Sequence, residues 1–372
     1  MPSLHLRIIG RLITVCAGLF SGAVHSQHQA FWVSFLDKPE ALGPATEWLT
    51  EQALSRRAQA GIPVGFSDKP IANSYTSALQ NAGGIIRLTS RWLNAAYVEG
   101  LTAQELLAFD FVQNLAVLPS QPGRSALAQE DQSTQVTDAT TRIHSLQYGD
   151  AAAPLELLGI PYLHDLGYAG QSIPVAFFDS GFLDGNVLEP LQRVFDLNRV
   201  KEVYDFYDGD SSVYGDDDHG MFCWGLAAAY DPDEFIGAAF DADWYLARTE
   251  VTFFERNLEE LNWLAAAEWA DSLGVFIISS SLGYDVFDPG EVSYPDAALD
   301  GQTAIVTQAA QFAARKGMLV VTSAGNEGNG KITHPCDADS ILCVGSVSLP
   351  DSQRSSFSAL GRSVDGRVKP DV

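Results

Sequence analysis

Four short apolar runs decide how this chain folds: Ile173-Pro-Val-Ala-Phe-Phe178, Val275-Phe-Ile-Ile-Ser279, Met318-Leu-Val-Val-Thr322 and Ile341-Leu-Cys-Val-Gly-Ser-Val347. Between and beside them lie segments with helical patterning, at Gly220–Tyr230, Leu258–Ser272 and Gln302–Arg315. Buried strands that alternate with helices in this way predict a parallel, doubly wound α/β sheet. In such sheets the working residues gather in the loops at the C-terminal ends of the strands. Three of those loops have unusual contents.

The first reads Asp179-Ser180-Gly181 and follows the run that ends at Phe178. A half-buried carboxylate held there suits the orientation of a neighbouring imidazole, although an Asp at a strand end is more often a turn residue. The second is Asp216-Asp217-Asp218-His219-Gly220-Met221, which opens an apolar helix. A His facing an Asp is the base-and-orienter half of a nucleophilic triad, and the bland alternative is a solvated acidic loop. The acids do not follow the EF-hand template, since counting from Asp208 puts Val213 sixth and His219 twelfth. In the third loop, Ser323-Ala-Gly-Asn326, an Asn past a buried strand can aim its amide at a developing oxyanion, or simply serve a turn.

Upstream, residues 30–118 read as a small α+β unit. Ala30–Leu36 is a strand and Ala45–Ala60 a helix, and Gly84–Val98 is a strand pair or one bent strand. A helix spans Thr102–Val112 with Thr102 and Glu105 as a capping box, and Leu115–Leu118 forms an edge strand. That β-α-β-β-α-β order fits a ferredoxin-like fold. From Pro119 to Arg142 the composition turns to Ser, Gln, Thr, Asp and Gly, which marks an exposed linker. At the N-terminus, Arg7 and Arg11 precede the apolar run Leu12–Val24, and Val24-His25-Ser26 offers a cleavage site. This is a secretory signal pattern, and a run of 13 residues is too short to span a bilayer of about 30 Å.

Taken together, Asp179-Ser-Gly, His219-Gly, Ser280-Ser-Leu-Gly283 and Ser323-Ala-Gly-Asn326 resemble the subtilisin-like serine proteases (subtilases) in order and spacing. The intervals are 40 residues from Asp179 to His219 and 107 from His219 to Asn326. Ser356-Phe-Ser358 and Asp365-Gly-Arg-Val-Lys-Pro-Asp371-Val are similar to the segment that leads toward that family's catalytic serine. The resemblance covers about Leu146 to Val372. It implies that Asp179 is the orienter, His219 the general base and acid, and Asn326 the side-chain oxyanion donor. It also implies that Ser281, Leu282 and Gly283 pair with substrate backbone and wall the primary specificity pocket. Ala324 and Gly325 would form the opposite wall. Residues 27–119 become a propeptide acting as chaperone and inhibitor, with residues 120–145 as linker and maturation region. Leu54-Ser-Arg-Arg57 and Ser90-Arg-Trp-Leu-Asn94 look like the variant of some exported bacterial subtilases.

The implied function is a secreted, extracellular endopeptidase zymogen that cleaves protein or peptide substrates and is held by its own propeptide. No cofactor or metal is implied by these residues, and structural calcium is not readable from them. One departure is serious. No Gly-Thr-Ser-(Met/Ala)-Ala occurs after Asn326, so the catalytic domain, residues 146–372, is expected to be partial, incomplete at its C-terminal end. Either the nucleophile lies beyond Val372 or the chain is a pseudoprotease. The first is favoured, because losing the helix around the serine would expose a large apolar sheet surface. The 372-residue chain by itself is expected to be inactive.

Two other readings compete, a non-catalytic secreted α/β binding protein and a sedolisin-type peptidase. The first should show two similar lobes, and the second uses Glu where this chain has His219. Composition narrows the field further. With 22 Lys and Arg against 47 Asp and Glu, the formal charge of −25 repels phosphate backbones and anionic lipid, so neither nucleic acid nor membrane is an expected partner. A hydrophobic content of 46% excludes general disorder. Of four cysteines, Cys16 leaves with the signal, and Cys336 and Cys343 flank a short loop across which they could pair.

Overall fold

The computed structural model describes residues 30–39, 43–118, 144–349 and 351–372. The expected signal segment and nearly all of the expected linker lie outside the described residues.

The first unit contains β1 (Ala30–Phe35), α1 (Glu51–Gln59), α2 (Asn73–Asn81), β2 (Ile85–Ser90), β3 (Ala95–Glu99), α3 (Ala103–Leu107) and β4 (Val112–Leu118). Its four strands form an antiparallel sheet in the order β2-β3-β1-β4, the ferredoxin-like arrangement. The 84–98 stretch is a hairpin, with Asn94 at φ +50° in its turn. Thr102 and Glu105 cap α3 reciprocally, as expected. The helix stops at Leu107 rather than Val112, and the last strand begins three residues earlier than the apolar pattern suggested. Helix α2 was not expected, because NSYTSALQN carries only Leu79 as a fully buried anchor.

The second unit begins with α4 (Ala152–Leu157) and α5 (Ile160–Asp165). It continues through β5 (Pro174–Asp179), α6 (Glu189–Asp196), β6 (Val200–Asp205) and α7 (His219–Ala228). A two-strand ribbon, β7 (Tyr230–Asp231) and β8 (Phe235–Ile236), leads to β9 (Asp243–Arg248), α8 (Asn257–Leu273) and β10 (Ile277–Ser280). The chain then forms α9 (Ile305–Arg315), β11 (Leu319–Ser323), β12 (Leu342–Val344) and a closing pair, β13 (Gly361–Arg362) and β14 (Val368–Lys369). Six strands make one parallel sheet in the order β12-β11-β10-β5-β9-β6. Helices α8 and α9 cover one face, where Phe178 meets Trp263 edge-on at 5.3 Å. Helices α6 and α7 cover the other, around Trp224 and Trp244. Strand order reverses between β5 and β10, the position at whose C-terminal ends open α/β sheets bind their ligands. Cys336 and Cys343 are disulfide-bonded, and Cys223 is free.

The first unit docks on α8 and α9 through the two motifs singled out in the sequence. Asp271, fully buried on α8, takes Arg56 Nη2 at 2.5 Å, Arg57 Nη2 at 2.5 Å and Arg91 Nη2 at 3.0 Å. Glu268, one turn earlier, accepts from the Ser90 hydroxyl and from the Arg91 and Trp92 backbone N–H groups. Asp68 pairs with Arg57 at 2.8 Å and with Lys316 of the second unit at 2.6 Å. Gly274, in the left-handed conformation that ends α8, lies so close to the Ala53 backbone that a Cβ would sit 2.6 Å from its nitrogen.

Candidate active site

Asp179 is the last residue of β5, the central strand, and is only 1% exposed. That is deeper than the half-buried position expected from the sequence. His219 opens α7, and its side chain is 50% exposed. Their Nδ1 and Oδ1 atoms are 2.6 Å apart. Oδ1 also accepts the Ser180 backbone N–H at 2.9 Å, so one oxygen is fixed from two sides. Gly220 packs directly beneath, where a Cβ would fall 2.6 Å from that of Asp179 and collide with the Gly181 carbonyl. The helix that presents His219 can therefore approach β5 only with glycine at this position.

The hydrogen bond to Asp179, followed by contact with the Cys223 sulfur, raises the His219 pKa well above the ordinary imidazole value, against the opposing effect of burial. The sign follows from that direction. The charged pair contributes stability below the unfolded imidazole pKa of about 6.5, and that contribution disappears as pH rises through the higher folded value.

Two positioning groups escaped the sequence reading. Asp217 accepts the His219 N–H at 3.0 Å, the Ser180 hydroxyl at 2.7 Å and the Thr252 hydroxyl at 3.1 Å, which ties the His loop to the Asp loop. Burial works against its charge, but these bonds outweigh it and hold Asp217 below the usual carboxylate range. Arg248, buried at the end of β9, donates Nε to the Ser180 carbonyl at 3.0 Å. Its Nη1 reaches Asp205 at 2.6 Å and Asp208 at 2.8 Å, with Asp216 at 3.4 Å. The acidic stretch is thus organised around a guanidinium. Visible clues were an Asp two residues before the His and a cation at a strand end in a Lys- and Arg-poor chain.

The remaining expected residues fall on neighbouring loops of the same sheet edge. Ser281, Leu282 and Gly283 follow β10, with Ser281 and Gly283 exposed and Leu282 buried. Ala324 and Gly325 follow β11, and Asn326 is exposed on the turn after them. The pair Asp179–His219 is in direct contact, while Ser281 to Gly283, Ala324, Gly325 and Asn326 are placed by strand register at the same end of the sheet. Asp179 Oδ1 hydrogen-bonds the His219 ring at Nδ1, and the Cys223 sulfur lies 4.0 Å from each ring nitrogen.

A parallel sheet with a buried Asp at its central strand end, bonded to a His that opens the next helix, invites comparison with known sequences. The profile described as "Subtilase family" matches residues 170–372, more than half of the chain. The chain belongs to the subtilase family. The profile described as "Peptidase S8 propeptide domain, Bacteroidota" matches residues 30–135, which include the ferredoxin-like unit. This subtilase is 26% identical over 229 residues to an alkaline protease of Alkalihalobacillus alcalophilus, covering 61% of this chain and 52% of the relative. It is 23% identical over 306 residues to the M-protease of Shouchella clausii, covering 81% of this chain and 70% of that one. Against subtilisin E of Bacillus subtilis the identity is 29%, with 55% and 48% covered. It therefore spans about half the length of several curated relatives that it matches. Among solved structures, the epidermin leader peptide processing serine protease of Staphylococcus aureus superposes with a TM-score of 0.53 at 16% identity. That match covers 91% of this chain and 74% of the other, a likeness of fold. No helix among the described residues is long and apolar enough to cross a membrane.

Proposed function

We propose that this subtilase is the propeptide-bearing portion of a secreted serine endopeptidase. Asp179 and His219 form its acid-base pair, and a serine from chain following Val372 is its nucleophile. The observation that carries the reading is the 2.6 Å bond from His219 Nδ1 to the buried Asp179 carboxylate, which leaves Nε2, 4.0 Å from the Cys223 sulfur, to serve an incoming hydroxyl. In the proposed cycle the serine oxygen attacks the scissile carbonyl carbon as Nε2 takes its proton. The same proton then goes to the leaving amine as the C–N bond breaks. Water repeats the sequence on the acyl-enzyme and releases the acid. Asp179 keeps the Nδ1–H tautomer and stabilises the imidazolium, and the Asn326 amide donates to the oxyanion. Ser281 to Gly283 take the substrate backbone as an added strand. Residues 30–118, clamped on α8 and α9, act as the inhibitor that must be removed.

The test is hydrolysis of a denatured protein by the full-length product, together with labelling by a fluorophosphonate. Both are expected, and the segment 1–372 alone should be neither active nor labelled. Because Asp179 raises the pKa of His219, activity should rise with pH through a value above 6.5 and be highest on the alkaline side. A profile already at its plateau at pH 6 would remove His219 from the role of base.

A further inference from the structure

The registers of β5, β9 and β6 bring Asp179, Arg248 and Asp205 to one level at the ends of three adjacent strands. Asp179 pairs with Arg248 across one seam, and Asp205 pairs with Arg248 across the other. Arg248 thus stands between the strand that carries the orienting carboxylate and the strand from which the chain departs toward His219. Backbone bonds lock the three ends together. The Thr249 N–H donates to the Asp179 carbonyl at 3.0 Å, and the Phe206 N–H donates to the Arg248 carbonyl at 2.8 Å.

The guanidinium divides its donors between the two loops. Nε donates to the Ser180 carbonyl, and the N–H of that same residue donates to Asp179 Oδ1. Nη1 faces Asp205, which ends β6, and Asp208 and Asp216, which lie on the loop from there to His219. These three carboxylates place oxygens within 4.8 Å of one another, and like charges so close repel unless a cation lies among them. Asp216 leads into Asp217, which accepts the His219 N–H. The two loops also touch directly, since a Cβ on Gly181 would lie 2.7 Å from the Asp217 nitrogen. How far apart these loops stand decides whether Nδ1 and Oδ1 meet, and Arg248 reaches both.

We propose that Arg248 sets the separation of Asp179 and His219, holding the Ser180 peptide with Nε and the acidic loop with Nη1, and thereby controls turnover without contributing to substrate binding. It is a positioning residue, acting through Ser180 and the acidic loop on the pair in front of it. Lysine cannot replace it. A single ammonium on a flexible stem lacks the rigid fork that serves a carbonyl on one side and carboxylates on the other. This inference rests on the peptidase reading above and deepens it.

The experiment is Arg248→Lys, which conserves charge and removes the fork. In the full-length protein, with active sites counted by a fluorophosphonate, kcat should fall about 10- to 100-fold while KM stays within about twofold, the scale of a misplacement of about 1 Å. A second reading needs no serine. In the 372-residue chain, the His219 imidazole followed by NMR should titrate closer to the ordinary value of about 6.5 than it does in wild type, because the bond to Asp179 that raises it is slackened. A role in stability alone would lower the urea midpoint and leave kcat and the titration at their wild-type values, and that result would overturn the proposal. If Arg248→Lys does not fold, Asp208→Asn removes an exposed partner of the guanidinium. Its kcat on the alkaline plateau should then fall about two- to fivefold at constant KM, the scale of an exposed ion pair, and an unchanged kcat would equally overturn the proposal. If wild type neither cleaves protein nor takes the fluorophosphonate, the peptidase reading fails, and the His219 titration in the 372-residue chain still decides for or against Arg248.

Discussion

Asp179→Asn is expected to lower the turnover of the full-length enzyme by about 10⁴-fold, or roughly 5 kcal/mol of transition-state stabilisation, with the fold intact. The carboxylate is 1% exposed, and its Oδ1 faces both His219 Nδ1 and the Ser180 N–H. An asparagine fits the same space. If its NH2 faces the ring, Nδ1 must accept, and Nε2 then carries the proton and cannot act as base. If its oxygen faces the ring, the tautomer survives, but the charge that stabilises the imidazolium is gone. Single-turnover kinetics together with an urea melt would separate the two effects. A loss below tenfold with unchanged stability would remove Asp179 from the orienting role.

The second large effect is expected at the docking surface, where Asp271→Ala leaves Arg56, Arg57 and Arg91 without their shared carboxylate. Removing one partner from a buried ion pair costs about 3–5 kcal/mol, because the remaining charge stays desolvated. Here Arg57 retains Asp68 and Arg91 retains its bonds to Glu268, so their loss is partial, whereas among the described residues Arg56 keeps the Val275 carbonyl alone. The first unit should therefore detach before the second unfolds. Unfolding by urea should change from one transition to two, and residues 30–118 should become sensitive to an added protease. A single transition shifted by less than about 1 kcal/mol would mean that the apolar contacts alone hold the units together. One such contact is the stacking of Trp92 on Phe312.

The elements differ in how far they could be read. All four apolar runs became parallel strands, within a few residues at each end, because each is a short, nearly unbroken run of apolar residues, most fully so in β5, which is buried along its whole length. Strand β6, VKEVYD, escaped because, at one edge of the sheet, it carries exposed Lys201 and Glu202 that break its apolar pattern. Strand β9, DWYLAR, escaped because it is bounded by charged residues at both ends, and both of these form ion pairs. Asp179 and His219 could be read for a different reason, since each sits where an element begins or ends and a local motif marks the place.

The sequence by itself determined the sheet class, the capping box at Thr102, and which residues stand at the C-terminal ends of β5, β10 and β11. These depend on periodicity, propensity and turn chemistry that act over a few neighbouring residues. Only the tertiary structure decided which distant groups meet. It brings Arg57 to Asp271 across 214 residues, Arg248 to the Ser180 carbonyl across 68, and Thr333 between Gly283 and Gly325. Such meetings depend on strand order and crossover, which no local pattern encodes. They are nonetheless specific, because a buried charge is tolerated only where the fold provides its partner.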